Sequence, residues 1–161
     1  MKRIKKSQSP LMGDAILLRG SIEYALRDAS SGNVVQSGIC HNIVASVGRV
    51  WMLNRLMSDN ASVIDRVGLG TGTSAVNVSN TQLANSFSTK TGTMSSAQYT
   101  SYPPSYELQV SWASNETHAS SSAINEFGLY ASDTLVGRLS TSAGINFGST
   151  NTLAISYRLS N

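Results

Sequence analysis

The chain has 161 residues, 40% of them apolar and 13% charged, with a formal net charge of +3. That length most often makes one domain with a real core, and a charge content about half the usual share fits poorly with a freely diffusing cytosolic enzyme, which relies on charge for solubility. One cysteine, Cys40, excludes an internal disulfide framework or a cysteine metal cluster, and no run approaches the roughly 20 apolar residues of a membrane span.

Ser, Thr and Asn make up 52 of the 161 residues. A surface of hydroxyls and amides suits a protein that stays docked against neighbours. Lys2, Arg3, Lys5 and Lys6 supply four of the 12 basic residues, leaving 8 basic groups against 9 acidic ones in the body. Residues 1–13 therefore read as a flexible basic arm and a candidate partner-binding segment, ahead of a single near-neutral domain over 14–161. Ala15 to Leu18 is too short an apolar stretch for a secretion signal, so the expectation is a protein made in a cytoplasm.

Ile22, Tyr24 and Leu26 alternate with Ser21, Glu23, Ala25 and Arg27, the period of a half-buried strand. Asp28 to Asn33 is a turn cluster with Gly32 suited to positive φ. Val34-Val35 and Ile39-Cys40 resume the sheet, which predicts a hairpin. Cys40 flanks an apolar run and reads as a small buried residue. One short helix is predicted near residues 47–58. Ser46 is its N-cap, Val47, Val50, Trp51, Asn54 and Met57 fall at helical spacing, and Asp59-Asn60 ends it. Its Trp51 and Leu53 side is expected to lie on a sheet, with Arg49 and Arg55 facing out.

Val63 to Leu69 reads as a strand. Residues 74–105, rich in Ser, Thr, Asn and Gln, read as a long polar loop anchored by Leu83 and Phe87, with Pro103-Pro104 breaking any ladder. Tyr99 and Tyr102 within it and Tyr106 just after it are candidate partner-binding residues, because tyrosine is enriched on recognition surfaces. Tyr106, Leu108, Val110 and Trp112 then alternate with polar neighbours. A loop follows over 114–122, a strand over 124–130, a turn at Ser132-Asp133-Thr134 and a strand over 135–139. Leu153, Ile155, Tyr157 and Leu159 alternate to the end. Many short strands with one helix predict a mainly β protein, a jelly-roll-like β-sandwich.

A hexapeptide occurs twice with its polar middle rewritten: Ile64-Asp65-Arg66-Val67-Gly68-Leu69 and Ile124-Asn125-Glu126-Phe127-Gly128-Leu129. It predicts two related elements of one β scaffold. Gly68-Leu69-Gly70-Thr71-Gly72-Thr73 superficially suggests a phosphate loop, but no lysine follows and no strong helix opens after it. Gly68, Gly70, Gly72 and Gly128 are instead assigned to structural turns with close backbone packing.

Other chemistry finds little material. His41 and His118 accompany many serines, without a nucleophile elbow of the G-x-S-x-G kind. Glu116 and His118 are two ligands where a metal needs three or four. Nothing converges Glu107 and Glu116 on a sugar as a glycosidase pair would require. The arm has no interleaved aromatic, so it offers no stacking platform for nucleic acid; it reads as a disordered tail or as an arm clasping an acidic protein surface. The expectation is a protein without catalytic residues, cofactor, metal, membrane contact or small-molecule substrate.

Several features occur in a telling order. Gly32-Asn33-Val34-Val35 comes first, then His41-Asn42-Ile43-Val44 leading through Gly48-Arg49 into the helix. The glycine run at 68–72 precedes Thr81-Gln82-Leu83-Ala84-Asn85. Ile124 to Leu129 precedes a turn and Leu135-Val136-Gly137-Arg138, and an alternating strand follows. Over residues 20–160 this order resembles the small β-sandwich structural proteins of tailed-bacteriophage virions, both capsid decoration (cement) proteins and tail-fibre-associated proteins. The resemblance implies a virion component rather than an enzyme. Its glycines, and a Glu126/Arg138 salt bridge between adjacent strands, would be scaffold. Its partners would be the major capsid protein lattice and further copies of itself in a symmetric oligomer. The alternative within the same resemblance is a tail or fibre component, an adaptor or host-contacting module.

Overall fold

The computed structural model describes residues 19–57, 62–98, 105–116 and 123–160. In chain order these form β1 (Arg19–Asp28), β2 (Val34–His41), β3 (Ile43–Val44), α1 (Ser46–Met57), β4 (Ile64–Gly70), β5 (Ser86–Thr91), β6 (Thr93–Gln98), β7 (Ser105–Trp112), β8 (Ile124–Ala131), β9 (Thr134–Ile145) and β10 (Asn151–Ser160). Two five-stranded sheets result, ordered β2-β1-β10-β7-β6 and β3-β9-β8-β4-β5, and every neighbouring pair runs antiparallel. The mainly β sandwich with one short helix is thus observed.

The alternation of apolar and polar residues explains which faces meet. β1 turns Ile22, Tyr24 and Leu26 inward, β10 turns Leu153, Ile155, Tyr157 and Leu159 inward, and β7 turns Leu108, Val110 and Trp112 inward. Val67 and Leu69 of β4, Phe127 and Leu129 of β8 and Leu139 of β9 answer from the second sheet. The Tyr24 and Phe127 rings meet across the layers, 6.2 Å apart and tilted by 36°. Trp112 Nε1 donates to Ser88 Oγ at 3.1 Å at one side, and Gln36 Nε2 donates to the Gly144 carbonyl at 3.3 Å at the other. Side chains therefore lace the two sheets together at both flanks.

The predicted hairpin is β1–β2. Its turn is held by Asp28, whose carboxylate accepts from Ser30 N and Ser31 N at 3.1 and 2.8 Å, while Gly32 takes φ 72°. The hydroxyl of Ser30, with the amide and hydroxyl of Ser31, lowers the Asp28 carboxyl to about 2. Asn42 carries the chain from the first sheet to the second. Its N–H donates to Gly20 O at 2.9 Å, and its side-chain amide donates to the buried Tyr157 hydroxyl.

Two expectations need correction. The segment 74–105 is not one long loop, because β5 and β6 lie inside it. Both are edge strands, and an edge strand of Ser and Thr lacks the apolar alternation that announces a strand. The helix forms where expected but does not lay Leu53 on a sheet: among its residues only Gly48 is buried, and Leu53 faces water. A glycine, not the apolar stripe, makes the close contact, since a Cβ at Gly48 would overlap the Val136 backbone.

Candidate functional site

The repeated hexapeptide proves to be a strand pair. β4 and β8 lie side by side with Val67 opposite Leu129, Gly68 opposite Gly128 and Leu69 opposite Phe127. The two copies are related by a local two-fold through the glycines. Tyr130 explains why both are glycine: a Cβ at Gly68 or Gly128 would sit 2.8 or 2.7 Å from its ring. Gly68, Gly70 and Gly128 therefore lie in strands rather than in turns; only Gly72 of the four lies in a loop. What these positions require is the absence of a side chain.

The outer face of this pair carries the densest polar cluster of the described residues. Glu126 is wholly buried and Arg138 is 1% exposed. Arg138 Nε and Nη2 both stand 2.8 Å from Glu126 Oε2. Glu126 Oε1 accepts from Gly72 N at 3.1 Å and Asn85 N at 2.8 Å, and Oε2 accepts from Ala84 N at 3.0 Å. Gly70 and Gly72 leave the room this carboxylate occupies, since a Cβ at either would lie 2.5 Å from Oε1. Arg138 spends its remaining N–H groups on Ser74 O and Oγ at 3.2 and 3.0 Å and on Asn80 Oδ1 at 3.0 Å.

Burial opposes ionisation of Glu126, but the N–H groups of Asn85 and Ala84 and the Arg138 charge outweigh it and hold the carboxyl below its ordinary range. Every oxygen lone pair of Glu126 that could meet a reactant instead meets an N–H of the chain. The pair is a clasp: it draws the loop over residues 71–85 across the second sheet and lets Leu83 bury itself beside Tyr130 and Leu135. The expected Glu126–Arg138 bridge between adjacent strands is present on β8 and β9.

The remaining candidate residues do not converge. Glu107 on β7 accepts from Ser156 and Gln109 and faces Arg158 at 3.4 Å. Glu116, in the turn after β7, is bound by Lys90 Nζ at 2.5 and 2.7 Å, which lowers its pKa. Each carboxylate already has a cation of its own. Cys40 is half-buried against the core, and burial raises its thiol pKa. Tyr106 lies in β7 rather than in a loop; its hydroxyl donates to Ile64 O at 3.2 Å and contacts Met94. Lys2, Arg3, Lys5, Lys6, Tyr99, Tyr102 and His118 lie outside the described residues.

The outer face of the first sheet is open to solvent among the described residues. Ser37, Ala25, Ala154 and Ser111 stand in one row across four strands. The row beside it holds Ile39, Glu23, Ser156 and Gln109. Small side chains in the first row leave a shallow depression of about 460 Å³. No protein-family model, curated protein or solved structure matches the chain.

Proposed function

We propose that this protein is a structural component of a tailed-phage particle, a cement subunit that seats on the assembled head in many copies. The carrying observation is the open face of the first sheet. It spans four strands and holds a shallow depression lined mostly by small or hydrogen-bonding side chains, with Val110 and Ile155 beneath, so it suits contact with an extended protein surface better than enclosure of a small molecule. The closed Glu126–Arg138 clasp supports the same reading, because the best-preorganised polar groups are consumed in shaping the fold. The order of motifs from Gly32 to Arg138 supplies the link to virion proteins. A subunit that binds only the assembled lattice stabilises it by mass action, by about 2.7 kcal/mol per site at 100-fold excess over Kd.

Co-sedimentation of the full-length protein with purified heads tests this. Saturable binding at a fixed ratio to the capsid subunit is expected, and Ala154→Arg, which puts a charge in the middle of the face, should abolish it while leaving the melting temperature unchanged. Retention on tails or host cells without binding to heads would replace this reading by the tail one.

A further inference from the structure

α1 leaves large apolar side chains in water. Val50 is 57% exposed, Leu53 60%, Leu56 76% and Met57 88%. Val50, Leu53 and Met57 recur at i, i+3 and i+7, so they form one stripe. The other side of the helix meets protein, with Gly48 against Val136 and Trp51 Nε1 donating to Ser62 O at 3.0 Å. An apolar stripe of this kind marks a surface that something covers.

The contacts place α1 at one end of the sandwich, and β1 begins at that same end. Arg19, the first residue of β1, stands opposite Ser160, which stands opposite Ser105. Next to Ser105, Tyr106 reaches the Ile64 carbonyl at the start of β4, two residues after the Ser62 carbonyl that Trp51 of α1 holds. Gly20 bonds Asn42, and Ala45, one residue before α1, bonds Val136.

The residues that precede β1 carry matching chemistry. Leu11, Met12, Ala15, Ile16, Leu17 and Leu18 are apolar, and Asp14 is the single charge among residues 11–18. α1 has two charges, Arg49 and Arg55, opposite in sign to Asp14. A second α1 laid on this face would instead bring arginines together. β1 turns Gly20, Ile22, Tyr24 and Leu26 inward, and in the sequence Ile16 and Leu18 extend the same every-second-residue series. Length suffices as well: eight extended residues reach about 26 Å, whereas the 12-residue helix is about 18 Å long.

We propose that residues 11–18 of the same chain are what covers the exposed apolar face of α1. The inference goes beyond the head-binding reading and does not depend on it. The test uses the full-length chain carrying Cys40→Ala, Ile16→Cys and Leu53→Cys, oxidised over a range of protein concentrations. A disulfide within single chains is expected, with a yield independent of concentration. In parallel, Ile16→Ser/Leu17→Ser/Leu18→Ser should speed amide exchange in α1 by about 10-fold, while β8 and β9 keep their protection and so report an intact fold. The proposal stands only if both results are obtained. A disulfide found only between chains would overturn it in favour of a second copy. Failure of the disulfide with unchanged exchange in α1 would overturn it in favour of a separate partner.

Discussion

Glu126 and Arg138 are both closed to water, so each is held by what the other and the loop supply. Removing one partner strands the other. Arg138→Ala should cost about 3–5 kcal/mol, the penalty of an unpaired buried carboxylate, which is a large share of a domain's net stability of about 5–15 kcal/mol. Urea denaturation reads this directly, and a cost under about 1 kcal/mol would show that the loop is held by other means. Glu126→Gln/Arg138→Met should cost less than its two single changes together, because neither leaves a stranded charge behind. The pH dependence has a definite sign. The folded pKa of Glu126 lies below its ordinary 4.5, so its stabilisation is complete above that value and is lost as the pH falls through the lower folded one. The melting temperature should fall in that window, and the fall should be shallower in Glu126→Gln. Some slope should remain, because Glu107, Glu116 and Asp28 are lowered too. This clasp was partly legible. Glu126 and Arg138 each interrupt an apolar run, and a short turn joins those runs. The loop amides that complete the site leave no such mark in the sequence.

At the level of elements, α1 sets two effects against each other. Gly48 lies inside a helix, where glycine costs about 0.5–1 kcal/mol relative to alanine. Propensity alone therefore predicts that Gly48→Ala stabilises the protein. The added Cβ, however, would overlap the Val136 backbone, which cannot rotate aside as a side chain can. Overpacking of this sort costs about 1–3 kcal/mol, so the steric term should win and Gly48→Ala should lower the melting temperature. A rise would mean that α1 can move off β9 without loss. The same helix marks where sequence reasoning stops. Helical spacing found α1 and its stripe, but periodicity cannot tell a stripe pressed on a sheet from one left open. β1, β7 and β10 were legible because one face of each is apolar and the other polar. β5 and β6 were not, since edge strands of Ser and Thr draw their pairing from neighbours rather than from a buried face of their own.

Across the whole molecule, the first sheet depends on the last strand. β10 lies between β1 and β7, so the two ends of the described chain are joined in register from Arg19–Ser160 to Asp28–Asn151. It also brings Leu153, Ile155, Tyr157 and Leu159 into the core. At about 1.5–3 kcal/mol for each fully buried side chain, their burial is worth roughly 6–12 kcal/mol, as much as the net stability expected of a domain this size. Deleting residues 151–160 should therefore abolish the cooperative unfolding transition rather than lower its midpoint. The loss would open a strand-wide slot between β1 and β7, lined by Ile22, Tyr24, Leu108 and Val110 and flanked by unpaired backbone groups on both sides. A synthetic peptide of residues 151–160 has the complementary alternation for that slot and should restore a cooperative transition when added to the truncated chain. Scrambling the peptide while keeping its composition should abolish the rescue, because register decides which side chains face the core. Equal rescue by the scrambled peptide would mean that β10 contributes bulk apolar cover and that the pairing register is not what holds the first sheet.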